Sequence, residues 1–410
     1  MRIALITTDY HPLRSSAAVQ LRDLAHGLMA EGHEPIVLAP AESLGRTWLE
    51  ETVEGVRILR LVAPRMKGTG HIQRGVAETL MPLVMLYGIW RSHRPFASWD
   101  AVIWYSPPIF FGPLVAALKL RSKCPTYLIL RDIFPNWALD LGLLRKGLGY
   151  RYFQMVAWCQ YQAADTIGVQ SESNLVYLRQ WAKQEGRRLE VLPNWLAPAP
   201  DVGSSIQVSK TRLAGRTILV YIGNMGVAQG MDVLLDLAES LRHRGDAGFL
   251  FVGRGTDVPR LRTMAAERGL SNVVFHDEID PHEIPGLLVQ CHIGLIALDP
   301  RHKTHNIPGK FLAYMQAGLP ILARINAGTD LGTIIENEGV GRAFSGESLT
   351  EFKRISDQLI DNPEERRSMS LRCRSLSARM FSPASAVRRI LAALSSSKQP
   401  GDSANGTLPS

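Results

Sequence analysis

Four cysteines in 410 residues, at 124, 159, 291 and 373, form no Cys-x-x-Cys pair. That scarcity excludes a disulfide-stapled scaffold and a cysteine metal knuckle, and predicts reduced thiols packed in cores. Also missing is an unbroken apolar run of the roughly 20 residues that a spanning helix needs. Residues 101–118 carry no charge, but Ser106-Pro107-Pro108 splits them into a strand (AVIWY) and a helix (FGPLVAALKL), and the run 79–90 is too short. Neither is expected to cross a membrane. Met1 leads directly into a strand pattern, without a basic leader, apolar core and cleavage site, so no export signal is predicted and a cytoplasmic location is expected. Basic runs interleaved with aromatics are absent as well, which argues against a nucleic-acid partner despite the net charge of +8.

The chain is 46% hydrophobic and long enough for two ordinary domains. Its positive charge is uneven: residues 1–200 hold 22 Lys and Arg against 16 Asp and Glu, whereas 201–410 hold 24 against 22. A field of that sign in the N-terminal half suits phosphates on a lipid or a nucleotide.

RIALITT, an amphipathic stretch with Val19, Leu21, Leu24, Leu28 and Met29 on one face, and PIVLAP compose a βαβ unit. AVIWY, TYLILRD, TIGVQS and LEVLPN continue the alternation, which predicts a parallel sheet covered on both faces. Ligands of such sheets bind beyond the carboxyl ends of the strands, where Asp9, Arg131, Asp132, Ser171, Glu172 and Asn194 fall. Residues 194–210, rich in Pro, Gly and Ser, read as an interdomain linker. A second series follows with TILVYIG, FLFVG, NVVFHD, IGLIAL and PILAR, and SPASAVRRILAALSSS closes the chain as an amphipathic helix.

Three strand-to-helix turns in the second half could carry chemistry. YIGNMGVAQGMDVLL places glycines at 223, 226 and 230 before a helix, an arrangement that lets backbone N–H groups approach a pyrophosphate or merely turns the chain. FVGRGTDVPRL adds Gly253, Gly255 and Arg254, whose guanidinium suits a phosphate or ribose but equally a solvated surface. DPRHKTHNIPGKFLAYMQAGLPILAR sets Arg301, His302, Lys303, His305 and Asn306 before Pro308 and Lys310 at a helix start. A lysine in a first helical turn is unfavourable unless an anion sits there, so Lys310 is the preferred phosphate ligand.

The order of GNMGVAQGMDVLL, FVGRG, IPGKFLAYMQAGLPIL and the closing helix resembles the retaining glycosyltransferases of family 4. TTDYHPLRSSAAVQLRDLAHGL and LRDIFPNWALDLGLL are similar to a bacterial surface-polysaccharide branch of that family, including N-acetylfucosamine transferases. The resemblance spans about 1–394 and implies the α/β GT-B fold, two Rossmann-like parallel-sheet domains facing a central cleft. On that reading 1–200 is the acceptor-binding domain and 201–380 the nucleotide-sugar-binding domain. A helix at 381–398 packs back on the first domain, and 399–410 is a flexible tail.

The resemblance further implies that Asn224, Gly226, Gln229, Gly253, Arg254, Arg301, Asn306, Pro308 and Lys310 face the donor, a UDP-sugar as substrate. His11, Arg14, Ser15 and Ser16 lie in the loop that meets the acceptor, sugar and diphosphate. Arg131, Asp132 and Lys310 are the expected catalytic groups, Asp132 being either a salt-bridged structural carboxylate or an orienting one. The chain departs from the family pattern in having His305 and Ala313 where paired glutamates are common, Asn224 and Gln229 where Arg and Lys are, Ser15-Ser16-Ala17 where a glycine pair is, and Arg131-Asp132 where His is. No Asp-x-Asp triplet occurs, so no metal and no cofactor are expected, and cations with helix N-termini must stabilise the leaving diphosphate.

The implied reaction transfers a sugar, with an N-acetylated amino-deoxy sugar as one option, to a lipid-linked or lipopolysaccharide acceptor with retention. A non-catalytic binding partner of the same fold and a sugar-nucleotide epimerase are the alternatives. Arg65, Lys67, His71, Arg74, Arg91, His93 and Arg94 bracket LMPLVMLYGIW, a pattern for peripheral contact with the inner face of an anionic membrane or for a core helix with charged ends.

Overall fold

The computed structural model describes residues 1–396 except 14, 43, 67, 69, 93–97, 141–143, 199, 201, 227–228 and 300–306. The chain forms two compact units, one of Met1–Pro193 with Pro383–Ser410, the other of Asn194–Ser382.

In the first unit the strands are β1 (Arg2–Ile6), β2 (Glu34–Ala41), β3 (Trp48–Val53), β4 (Val56–Val62), β5 (Ala101–Ser106), β6 (Thr126–Leu130), β7 (Thr166–Val169) and β8 (Arg188–Val191). They form one sheet in the order β3-β4-β2-β1-β5-β6-β7-β8, parallel except for the β3–β4 pair. β5 and β6 are buried along their whole lengths, as strands covered on both faces must be. Alternate strand residues such as Ile6, Trp104 and Leu130 share one core with Met81, Leu114 and Tyr161 of the helices His71–Arg91, Gly112–Ser122 and Leu148–Ala163. The helix Ser16–Ala30 packs instead on the closing helix Pro383–Ser396, whose Val387 lies 2.7 Å from where a Cβ on Gly27 would stand. Arg389 of that helix donates to the Val191 carbonyl at 3.1 Å.

The hairpin of β3 and β4 went unread in the sequence. Its two-residue turn has positive φ at both Glu54 (50°) and Gly55 (81°), the conformation that matches strand twist, and Glu rarely advertises it.

In the second unit β9 (Thr217–Ile222), β10 (Ala247–Val252), β11 (Val273–His276), β12 (Ile293–Ala297), β13 (Ile321–Arg324) and β14 (Gly341–Phe344) run parallel in the order β11-β10-β9-β12-β13-β14. Renumbered from its own start this is 3-2-1-4-5-6, the doubly wound order, with a core on each face. The order reverses between β9 and β12, and their carboxyl ends flank the crevice where such sheets take ligands. The four-residue β14 was too short for a sequence signal.

The segment 194–210 is not a free linker. Trp195, Ile206 and Val208 are buried, and Gln290 holds it by donating to the Ile206 carbonyl (3.0 Å) and accepting from the Val208 N–H (2.9 Å). Its Pro and Gly content hid three apolar anchors, so the unit boundary falls at Pro193/Asn194. The expected tail 399–410 lies outside the described residues. Among the described residues no helix is long and apolar enough to cross a membrane. Cys124, Cys291 and Cys373 are buried and Cys159 is exposed, and no disulfide joins any of them.

Candidate active site

The two glycine turns of the second unit are laced together through their backbones. Met225 donates its N–H to the Arg254 carbonyl at 2.8 Å, Gly223 to Val252 at 2.9 Å, and Asp257 to Met225 at 3.2 Å. A Cβ on Gly253 would stand 2.0 Å from the Gly223 oxygen, and one on Gly255 2.2 Å from the Met225 oxygen. Both glycines also have positive φ, at 152° and 153°. These glycines therefore exist first for close approach of chain to chain.

Gln229 closes the first turn. Its Oε1 accepts from the Gly226 N–H at 3.0 Å and from Asn224 Nδ2 at 3.2 Å. Below it the buried Tyr221 donates its hydroxyl to the Asn224 carbonyl at 2.8 Å. Gly230 ends the turn against Asp299, just beyond β12, leaving 3.1 Å between a would-be Cβ and the Asp299 Cα. Residues 223–226, Gln229 and Gly230, with Asp299 against the last, thus stand at the strand-order reversal.

Lys310 enters the same place from the helix Gly309–Ala317. Its ammonium sits 3.3 Å from the centroid of the Tyr221 ring, a cation–π contact. No carboxylate among the described residues pairs with it, and burial pushes its pKa well below the ordinary lysine value. Pro308 is the N-cap of this helix and makes no side-chain cap hydrogen bond; the Phe311 N–H turns back to the Pro308 carbonyl at 2.9 Å. The helix is fixed by Tyr314, whose hydroxyl donates to Val220 (3.0 Å) and accepts from Ile222 (3.1 Å). Ala313 lies on the same helix, half-buried against the core.

Arg254 behaves differently. Its side chain is exposed and pairs with Glu278 at 3.2 Å, while its carbonyl serves the lacing of the turns. Arg301, His302, Lys303, His305 and Asn306 lie outside the described residues.

In the first unit the strand-order reversal falls between β1 and β5. Thr7 and Asp9 close the loop after β1, the hydroxyl donating to the Asp9 carbonyl at 3.0 Å and accepting its N–H at 3.1 Å. Arg60 donates to the His11 carbonyl, fixing that loop from β4. Ser15 caps the helix Ser16–Ala30, its Oγ accepting from the Ala18 N–H at 3.2 Å, and Ser16 is exposed at the helix start. Arg14 lies outside the described residues.

Arg131 is buried, not presented to a ligand. It donates to the Leu192 and Pro193 carbonyls beyond β8 and to the Tyr105 hydroxyl, so it holds strand ends in place. Asp132 is half-buried beside Arg131 and Tyr105, and Asp9 also faces Tyr105. Burial pushes the Tyr105 phenol up. Burial, first, and then Glu54 push up that of Tyr10, which is buried with its hydroxyl unpartnered among the described residues.

Sequence reasoning thus missed Tyr105, Tyr10, Tyr221 and Asp299. Tyr105 and Tyr221 end strands read correctly as strands, and that position was the available signal. Among the described residues no three His, Cys, Asp or Glu side chains converge as a metal site.

Residues 216–362 match the family described as Glycosyl transferases group 1. An Escherichia coli K12 protein named as a colanic acid biosynthesis glycosyl transferase, WcaI, is 24% identical over 374 residues, covering 85% of this chain and 89% of the relative. The crystal structure of WaaG, a glycosyltransferase involved in lipopolysaccharide biosynthesis, aligns with a TM-score of 0.60 and 16% identity over 95% of this chain and 99% of that one. HepE of Anabaena in complex with UDP-glucose aligns with a TM-score of 0.65 and 15% identity over 97% of this chain and all of that one (100%). With a matched group 1 domain on a doubly wound sheet and a second parallel-sheet unit before it, the chain is a glycosyltransferase of the GT-B fold.

Proposed function

We propose that this glycosyltransferase takes its sugar from a nucleoside diphosphate donor held by the second unit, with uridine as the base. The observation that carries this is Lys310: a partly enclosed ammonium with no carboxylate partner among the described residues, seated on Tyr221 in the first turn of a helix that has no side-chain cap from Pro308. A diphosphate answers both features, neutralising the cation and meeting the positive end of the helix. HepE, crystallised with UDP-glucose on the same fold, supports the choice of nucleotide.

We further propose a lipid-linked saccharide acceptor in surface-polysaccharide assembly, met by the His11–Ser16 loop and the Tyr105–Asp132 group of the first unit. The names of WcaI and WaaG support that class. Asp132 orients the acceptor hydroxyl, Arg131 positions Asp132 and Tyr105, and Lys310 stabilises the leaving diphosphate. The acceptor oxygen attacks the anomeric carbon on the leaving-group face as the bond to the diphosphate breaks. The acceptor proton passes to a phosphate oxygen, and configuration is retained.

A panel of nucleotide sugars, including UDP-glucose and UDP-linked N-acetylated amino-deoxy sugars, tests this by nucleotide release with and without bacterial lipid-linked acceptors. Acceptor-dependent release of UDP with a product of retained configuration by NMR is the expected result. Release without acceptor, or an inverted product, overturns the respective part.

A further inference from the structure

The helix His71–Arg91 is two-faced in an unusual sense. Ala77, Met81, Met85 and Ile89 are buried in the core, yet the opposite face is also apolar: Val76, Leu80, Leu83, Tyr87 and Trp90 are 46–62% exposed. Their spacing of four and three residues forms one continuous stripe. It widens onto the neighbouring helix Leu148–Ala163, because Thr79 hydrogen-bonds Tyr152, and Leu148, Met155 and Trp158 stand exposed on that helix. Single exposed apolar side chains are ordinary, but eight on two touching helices mark an interaction surface.

Charge selects the occupant. Residues 71–91 and 144–163 contain Arg74, Arg91, Arg145, Lys146 and Arg151 against one acid, Glu78, which is paired with Arg74 at 2.8 Å. Two copies meeting symmetrically would oppose cation to cation. A bilayer with anionic headgroups matches both features: the apolar stripe enters the headgroup–acyl boundary, Trp90 and Tyr87 sit at interfacial depth, and the cations meet phosphates.

We infer that the outer faces of the helices His71–Arg91 and Leu148–Ala163 dock this enzyme on an anionic lipid surface. The inference extends the lipid-linked acceptor reading by naming the surface that brings the first unit to its acceptor, and rests on that reading for its purpose only.

Flotation of the purified full chain with vesicles tests it, using phosphatidylcholine alone and phosphatidylcholine containing phosphatidylglycerol, with no donor or acceptor present. The protein should float with the anionic vesicles, less so as salt rises. Leu80→Ser/Leu83→Ser/Trp90→Ser should weaken partition by roughly tenfold or more, and Arg145→Ser/Lys146→Ser/Arg151→Ser by roughly a hundredfold. Circular dichroism melts confirm that these exposed substitutions leave the fold intact. No flotation of the parent chain, or equal flotation of parent and variants, overturns the inference. So does a dimer in light scattering that the apolar variant dissolves without any vesicle binding. Because the assay contains neither substrate, its failure leaves the donor and acceptor readings standing.

Discussion

At the ends of β9 and β10 the chain is shaped by backbone meeting backbone, whereas at the ends of β1, β5 and β6 it is shaped by buried side chains. Gly253 and Gly255 lie against the carbonyls of Gly223 and Met225, and Gln229 closes the loop above them. In the first unit Arg131 ties the Leu192 and Pro193 carbonyls to Tyr105, with Asp132 alongside. A backbone site tolerates changed side chains provided no Cβ intrudes. Asn224 and Gln229 are therefore replaceable in a way that Gly253 and Gly255 are not. A side-chain site has the opposite sensitivities.

The largest effect should come from placing a Cβ in the lacing. Gly253→Ala combines a Cβ only 2.0 Å from the Gly223 oxygen with a φ of 152° and should cost about 4 kcal/mol or more, read as loss of cooperative unfolding of the second unit. A variant that melts like the parent would show that the turns can separate, and the contrast between the units would fall.

Lys310→Met should lower turnover by about a hundredfold to a thousandfold while leaving the apo protein as stable or more so. The sign follows from its depressed pKa. Between that value and the ordinary lysine value the unfolded chain binds the extra proton, so this residue's contribution makes the apo protein gain stability as pH rises through that window. Diphosphate binding restores the charge, so donor affinity should fall as pH rises through the depressed pKa and binding should take up a proton. Calorimetry in buffers of different ionisation enthalpy measures it, and proton release on binding would contradict the assignment.

Arg131→Lys should destabilise the first unit by about 2 kcal/mol, since an ammonium cannot reach both carbonyls and the phenol. UDP affinity should not change, which separates it from Lys310. Smallest of all, Arg254→Ala removes only an exposed pair with Glu278 and should shift stability by no more than about 0.5 kcal/mol.

The alternating apolar runs made both sheets legible, because strands buried on both faces cannot disguise themselves. What stayed hidden depended on conformation or long-range contact. The Glu54-Gly55 turn needs a left-handed Glu, the segment 194–210 is anchored by Gln290, 82 residues beyond Val208, and the interior position of Arg131 is set by the chain just past β8. Glycine positions could be read but not their reason. A glycine facing a phosphate and one facing another turn look the same in sequence. Lys310 drew notice because a cation at a helix start is an anomaly in itself.

The closing helix Pro383–Ser396 has a consequence for how the molecule is made. Its Val387, Ile390 and Leu394 are completely covered, each contributing about 2 kcal/mol of apolar burial, and the seat they fill was laid down by Gly27 and its neighbours nearly the whole chain earlier. On the ribosome the first unit therefore waits, its groove open, until the second unit has been synthesised. A chain that terminates just after the second unit, at residue 382, lets that unit close but leaves the first with an apolar slot. Such a shortened chain exposes the slot to chaperones and proteases, and only a chain that runs through Leu394 covers it.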